Sequence, residues 1–196
     1  MSTGAAGIPA SPGLWRAFLL HSAAAACFGL LTIFWGQPSV HVMSVAGGLY
    51  FLALAAVVHL TERSLREQSA VPAGMTRIVP AMLAVAGVLN LLIHADAMFA
   101  ITGALALLLM GAKDVVVWWR IRSDHAAARD FLLLGVVSAV TGGLLPVFQA
   151  LGAHALLGVA GGGAVITAVV LALAALSYRY DSRTTTGPAP RSKPVN

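Results

Sequence analysis

The sequence predicts an all-α membrane protein in which six transmembrane helices form three tandem helical hairpins. Hydrophobic residues make up 59% of the 196 residues, and charged residues make up only 10%. A soluble domain usually has about 25% charged residues, so this chain has too few to cover a water-facing surface. The composition therefore excludes a disulfide scaffold, a disordered protein and a conventional soluble enzyme.

Long charge-free stretches predict where the helices lie. The stretch 17–61 is too long for one span, because about 20 residues cross a membrane, and it breaks at the turn-forming residues 35–39. A second long stretch, 131–178, breaks near Pro146. The predicted spans are residues 14–34, 40–60, 78–94, 97–118, 131–147 and 154–177.

Basic residues indicate the orientation of these helices. An arginine lies at the start of the first helix, and further arginines lie in the connections after the second and fourth helices and in the C-terminal tail. The turns at the opposite ends of the helices contain no Lys or Arg. The positive-inside rule therefore predicts that both termini are cytoplasmic. The transmembrane domain, 14–180, lies between a flexible tail at 1–13 and a disordered tail at 181–196. We expect contact with the lipid bilayer, a second copy or another membrane protein as partner, and no nucleic acid.

The odd-numbered helices share a spacing that indicates an internal repeat. Each begins beside an arginine, and a small or polar residue follows thirteen positions later, namely Gly29, Asn90 and Gly142. In the last helix, Gly158 and Gly162 form a GxxxG pair, which allows helices to approach closely. The pair predicts either packing within the bundle or a face for a dimer.

Three segments carry a resemblance to a known family. They are the start Trp15-Arg16, the segment 28–31 (Phe-Gly-Leu-Leu) and the turn 34–38 (Phe-Trp-Gly-Gln-Pro). Together with the paired apolar hairpins, they resemble the HdeD-like family of small bacterial membrane proteins. The resemblance covers about residues 14–180 and implies repeated two-helix units, typically six spans, in a bacterial plasma membrane. It also implies a role in acid or envelope stress and supplies no catalytic residues.

Three polar residues, His21, Asn90 and Asp114, are predicted at membrane depth, where each is costly and therefore a candidate site. A His–Asp cluster there could shuttle protons, because histidine titrates at about pH 6.5. The alternatives are interhelical hydrogen bonds for His21 and Asn90. For Asp114 and its neighbour Lys113, the alternative is a side chain that extends to the membrane surface.

Three histidines, His41, His94 and His154, lie at the predicted outer turns, with Asp96 as the acidic residue on that side. Three imidazoles that converge with a carboxylate would make a zinc-like site. Without a metal, the histidines would become charged together as the external pH falls, and their repulsion would change the conformation. The third alternative is that they never meet, since their distance depends on how the turns converge in space.

The sequence contains no motif of an enzyme: HExxH, Walker A and GxSxG are all absent. We therefore predict no catalytic activity, no bound cofactor and no metal. The first functional hypothesis is an accessory or stress-related membrane protein, with acid resistance as the role that the resemblance implies. The alternative is a small transporter or channel with a polar path near His21, Asn90 and Asp114. A transporter should place these groups around one water-accessible cavity, whereas an accessory protein should bury a dry core.

Overall fold

The computed structural model describes residues 14–66, 74–122 and 128–184, and within these ranges the chain is helical and has no strands. A short 3-10 helix, Gln149–Leu151, connects the last two helices. The predicted all-α fold is confirmed, whereas the tail predicted at 1–13 lies outside the described residues. The helices are α1 (Leu14–Phe34), α2 (Val40–Arg66), α3 (Met75–Leu92), α4 (Asp96–Ile121), α5 (Ala128–Phe148) and α6 (Gly152–Thr184).

The described part of the chain contains four stretches that are long and apolar enough to cross a membrane, and the longest includes both α5 and α6. The apolar part of α3, Arg77–Leu92, is shorter than these. The helices therefore fit a multi-pass membrane protein, and six separate crossings remain a prediction. The four stretches are Trp15–Phe34, Val40–Glu62, Asp96–Ile121 and Ala128–Tyr180.

Two helices continue beyond their predicted ends. α2 ends at Arg66 rather than at residue 60, because Thr61 stays buried and its Oγ1 donates a hydrogen bond to the Val57 carbonyl oxygen at 2.9 Å. α6 ends at Thr184 rather than at 177, so residues 181–184 of the predicted tail are helical, and the rest of that tail lies outside the described residues. Its extension includes the buried Tyr178, whose hydroxyl donates to Asp130 Oδ2 at 2.9 Å.

Helices of different hairpins make the closest contacts. α2 packs on α3, α4 on α5 and α6 on α1, so the three hairpins close into a ring. A Cβ on Gly48 would come within 2.9 Å of the Gly87 carbonyl oxygen, and one on Gly111 within 2.7 Å of the Gly135 carbonyl oxygen. The glycines therefore allow backbone-to-backbone packing, which stabilises helix pairs where lipid provides no hydrophobic drive.

The bundle has two chemically different ends. The arginine end consists of the starts of α1, α3 and α5 and the ends of α2, α4 and α6, and here Arg122 lies 4.1 Å from the Trp119 ring centroid. Arg16 and Arg179 both lie over Trp15 at this end. The histidine end consists of the opposite helix ends. Between the two, exposed leucine, isoleucine and valine side chains cover the outside, which fits contact with lipid.

Candidate functional site

The core contains three buried charged residues, Glu62 of α2 and Lys113 and Asp114 of α4, which we call the charge cluster. Their side chains are 6% exposed or less. Lys113 Nζ lies 2.9 Å from Asp114 Oδ1 and 3.9 Å from Glu62 Oε1. The side chains of Lys113 and Asp114 are therefore buried within the bundle and paired with each other, rather than exposed at a helix end.

The charge cluster forms because the buried faces of α2 and α4 extend beyond their apolar residues towards the arginine end and there include charged residues. In α2, the buried residues Leu54, Val58 and Glu62 follow one another at intervals of four, which places them on one face of the helix. In α4, Met110 and Asp114 have the same spacing and are also buried. The sequence analysis missed Glu62 because it ended the second span at residue 60. The interval of four from Val58 was the signal that could have found it.

The charge cluster contains one more acidic group than basic groups. Two carboxyl groups face a single ammonium group, and Lys113 lies nearer to Asp114. Among the described residues, neither carboxyl oxygen of Glu62 has a hydrogen-bond partner. A buried charge without partners is costly. With both carboxyl groups ionised, the cluster would therefore have an excess negative charge that a proton or a cation would neutralise.

A small cavity, which we call the central cavity, lies among α1, α2, α4, α5 and α6. It has room for about one water molecule. Its lining includes Met110, which lies one helical turn from Asp114 on the same face of α4. The polar side chains that line the cavity are His21, Tyr50, Ser138, Thr141 and Thr167.

His21 connects the central cavity with the charge cluster. It is buried, its Nε2 has no hydrogen-bond partner in the described part of the chain, and Lys113 is close enough to act on it electrostatically. Of the three predicted intramembrane polar residues, His21 lines the central cavity, Asp114 lies one helical turn beyond its wall residue Met110, and Asn90 does not line it. The arrangement expected of a transporter is therefore present only in part. An imidazole nitrogen that faces a cavity water could accept a proton from it or donate one to it.

Asn90, the third predicted intramembrane residue, lies apart from this region. It is fully buried in α3, and its Nδ2 donates hydrogen bonds of 2.8 Å to the Ala86 carbonyl oxygen and to Thr102 Oγ1 of α4. Asn90 does not line the central cavity. Its geometry matches the alternative of an interhelical hydrogen bond rather than a place on a polar path.

Aromatic side chains separate the central cavity from the histidine end. Phe28 stacks on Tyr50 with ring centroids 4.2 Å apart, and Phe51 lies 6.0 Å from both Tyr50 and Phe99. All four side chains are buried. We call these four residues the aromatic plug, because they fill the bundle between the polar cavity and the histidine end.

Two of the predicted outer histidines meet at the histidine end. His41 and His94 are exposed, and their rings stack with centroids 4.4 Å apart. His154 is exposed and makes no ring contact with either of them among the described residues. Asp96, at the start of α4, has one buried carboxyl oxygen without a hydrogen-bond partner. No group of three His, Cys, Asp or Glu residues in the described ranges could hold a metal ion, so the zinc-like alternative has no geometric support.

The predicted packing pair Gly158 and Gly162 faces outwards. A Cβ on either residue would meet no atom of the bundle within 4 Å, whereas one on Gly161 would meet Thr32 and one on Gly163 would meet Thr141. Packing within the bundle therefore uses the neighbouring glycines. A dimer face that contains Gly158 and Gly162 stays a prediction.

Comparisons of this chain with protein-family models, with curated proteins and with solved structures found no match. The resemblance to the HdeD-like family is thus neither supported nor opposed by a relative. The features of the molecule that indicate a function are the charge cluster, the central cavity and the histidine pair.

Proposed function

We propose that this chain is a multi-pass protein of a bacterial plasma membrane, with six crossings and both termini in the cytoplasm. At about 1.5 Å per residue, the 53-residue stretch Ala128–Tyr180 would extend about 80 Å, far beyond the roughly 30 Å of hydrocarbon in a bilayer. Tyr178 of α6 contacts Asp130 of α5, so the two helices fold back on each other, which supports two crossings. α3 has 18 residues, or about 27 Å, which is close to one crossing.

Cysteine labelling tests this topology. In a Cys27→Ser background, Gln37→Cys and Gln149→Cys should react with a membrane-impermeant thiol reagent added to intact cells. Arg129→Cys should react only after the membrane is permeabilised. External reaction of Arg129→Cys, or protection of both glutamine positions, would contradict the proposed orientation.

Within this topology, we infer that the protein is a small transporter or channel that passes a small ion through its own bundle. The observation that carries this inference is the central cavity, lined by five polar side chains and adjacent to buried charges. Ionisable residues inside a membrane protein are costly, and they typically mark ion or proton pathways. Because the cavity has room for about one water molecule, a small ion fits better than an organic solute.

Ion flow through purified protein in lipid vesicles tests the transport function. Under an imposed membrane potential, vesicles that contain the protein should pass ions faster than empty vesicles. Phe51→Leu should increase this flow, because it shortens a side chain of the aromatic plug. Phe18→Leu is the matched control, since Phe18 is equally buried but packs with Phe131 and Tyr178 at the arginine end. Flow equal to that of empty vesicles for every ion tested would contradict the proposal.

The second candidate function is the acid-responsive, stress-related role, and the stacked His41–His94 pair favours it. Two charged rings at this separation would repel, so a proton on each ring would loosen the contact between the start of α2 and the end of α3.

Survival of an acid shock tests this second function. Deletion of the gene should sensitise cells, and His41→Ala with His94→Ala should fail to restore survival at a matched protein level in the membrane. His154→Ala is the matched control and should restore survival, because His154 does not take part in the stack. Normal survival of the deletion strain would remove the support for a stress role.

A further inference from the structure

We propose that Glu62 binds an exchangeable proton, and that this proton is the ion that passes through the bundle. The proposal depends on the proposed transport function and names its substrate. It is carried by one juxtaposition. Glu62 has a buried carboxyl group whose oxygens have no hydrogen-bond partner among the described residues, and it lies beside an ammonium group that already pairs with a nearer acid.

The charge count of the cluster requires a positive charge or a proton. Among the described residues, Lys113 and Asp114, both from α4, are the groups that act electrostatically on Glu62. Lys113 neutralises one of the two carboxylates, and its 2.9 Å contact is with Asp114. A proton on Glu62 makes the whole cluster neutral and removes the cost of a second buried carboxylate.

A proton fits this site better than a metal cation. A cation beside Glu62 would also lie beside the ammonium group of Lys113, which would repel it. Hard cations such as Ca²⁺ need six to eight oxygen ligands, and the described residues bring no such set of acidic side chains together. A proton needs one carboxyl oxygen, and Glu62 has two without partners.

The position of Lys113 between two acids provides a way to move the proton. Its Nζ lies 2.9 Å from one carboxyl group and 3.9 Å from the other, and its flexible side chain has three rotatable donors. Lys113 carries the transfer: an N–H bond of its ammonium group breaks as an O–H bond forms on Asp114, and the resulting amine then turns to Glu62, where the O–H bond breaks and the N–H bond forms again. One proton has then moved from one carboxylate to the other, and the cluster stays neutral.

Asp114 lies close to the central cavity, because Met110 of the cavity wall is one helical turn away on the same face of α4. From Asp114 the proton passes to a water in the central cavity, beside which His21 lies. The transfer breaks the O–H bond on Asp114 and forms an O–H bond on that water, without any oxidant or other reactant. Glu62 then takes up a new proton from water at the arginine end.

Infrared spectroscopy of the full-length protein in lipid tests the proton on Glu62. The carbonyl band of a protonated carboxyl group is separate from carboxylate bands and shifts in D2O when the proton exchanges. We expect such a band at neutral pH, and we expect ¹³C labelling of glutamate carboxyl groups to shift it. The chain has two glutamates, Glu62 and Glu67, so Glu62→Gln should remove the band and the matched control Glu67→Gln should retain it.

The outcomes separate this proposal from the transport function. An absent band, a band that glutamate labelling does not shift, or a band that does not respond to D2O would overturn the proton site. If the band behaves as expected and vesicles pass sodium or potassium ions but no protons, transport stands and the assignment of the proton as its substrate is wrong. If vesicles pass no ion at all, the transport function is wrong, whatever the band does.

Discussion

The arginine and histidine halves of the bundle are built from the same helices and both bury aromatic side chains, but they differ in how many charged groups they bury. Towards the arginine end, α2 and α4 bury the charge cluster, and α1 adds His21. Towards the histidine end, α1, α2 and α4 bury the aromatic plug, and the charged residue there, Asp96, is only partly buried. A membrane protein that needed only a stable core would gain nothing from the first half, so the contrast indicates that the polar half has a function.

Removal of the central ammonium group should have the largest effect on stability. Lys113→Met leaves two buried carboxyl groups without a counter-charge, and breaking a buried pair in this way typically costs about 3–5 kcal/mol. We expect a loss of this size in the free energy of unfolding, measured by denaturant titration in mixed micelles.

Neutralisation of the partners provides the control for this loss. Glu62→Gln and Asp114→Asn, added to Lys113→Met, should recover most of the stability, because no charge then stays buried. Glu62→Gln alone should cost much less than Lys113→Met, since the pair of Lys113 and Asp114 is intact. A Lys113→Met variant as stable as the wild type would show that the charge cluster does not carry the energetics described for the arginine half.

Close contacts between helix pairs, which we call seams, stabilise both halves of the bundle. An added methyl group at a seam should have the next largest effect on the free energy of unfolding. Gly111→Ala places a Cβ about 2.7 Å from the Gly135 carbonyl oxygen, so the backbones of α4 and α5 must separate, at a cost of about 1–3 kcal/mol. Gly162→Ala is the matched control, because it points into open space and should be neutral or stabilising. Equal unfolding midpoints for the two variants would contradict the seam.

A smaller effect on stability is expected from the hydrogen bond between Asn90 and Thr102 in the histidine half. Thr102→Val removes the acceptor of the 2.8 Å bond from Asn90 Nδ2. Because Asn90 keeps its bond to the Ala86 carbonyl oxygen, we expect a loss of about 0.6 kcal/mol and no change in ion flow. A variant that abolishes ion flow while folding normally would place Asn90 on the polar path after all.

The smallest effect should come from the exposed histidine pair. Both rings are exposed, and surface substitutions usually change the free energy of unfolding by less than about 0.5 kcal/mol. His94→Gln should therefore lower it by no more than that, measured by denaturant titration, and His154→Gln should leave it unchanged, because His154 does not take part in the stack. A larger loss for His94→Gln than for Thr102→Val would contradict this order.

Most of the fold could be predicted because membrane burial acts on long segments of sequence. The charge-free stretches predicted most helix ends to within a few residues. The two largest errors, at the ends of α2 and α6, arose because tertiary contacts keep Glu62 and Tyr178 helical. His21 and Asp114 were found because single polar residues stand out in apolar runs. Glu62 was missed because it stands at the edge of such a run, where sequence alone does not distinguish a buried acid from a loop residue.

The contacts between turns could not be predicted, because they depend on the order of helices around the ring. The main partner of α2 is α3, and their contact brings His41 to His94, whereas His154 starts α6, whose main partner is α1. The same order places Gly161 and Gly163 at contacts and leaves Gly158 and Gly162 outside. Spacing along the chain contains no information about this order.

Proton flow into vesicles is the most direct test of the function assigned to the arginine half. Purified protein is reconstituted at equal density as wild type, Glu62→Gln and Glu67→Gln, and an internal pH dye reports acidification under an imposed potential that is negative inside. We expect acidification for the wild type and for Glu67→Gln, and a rate at the level of empty vesicles for Glu62→Gln. Equal acidification by Glu62→Gln and the wild type would contradict a proton route through the charge cluster.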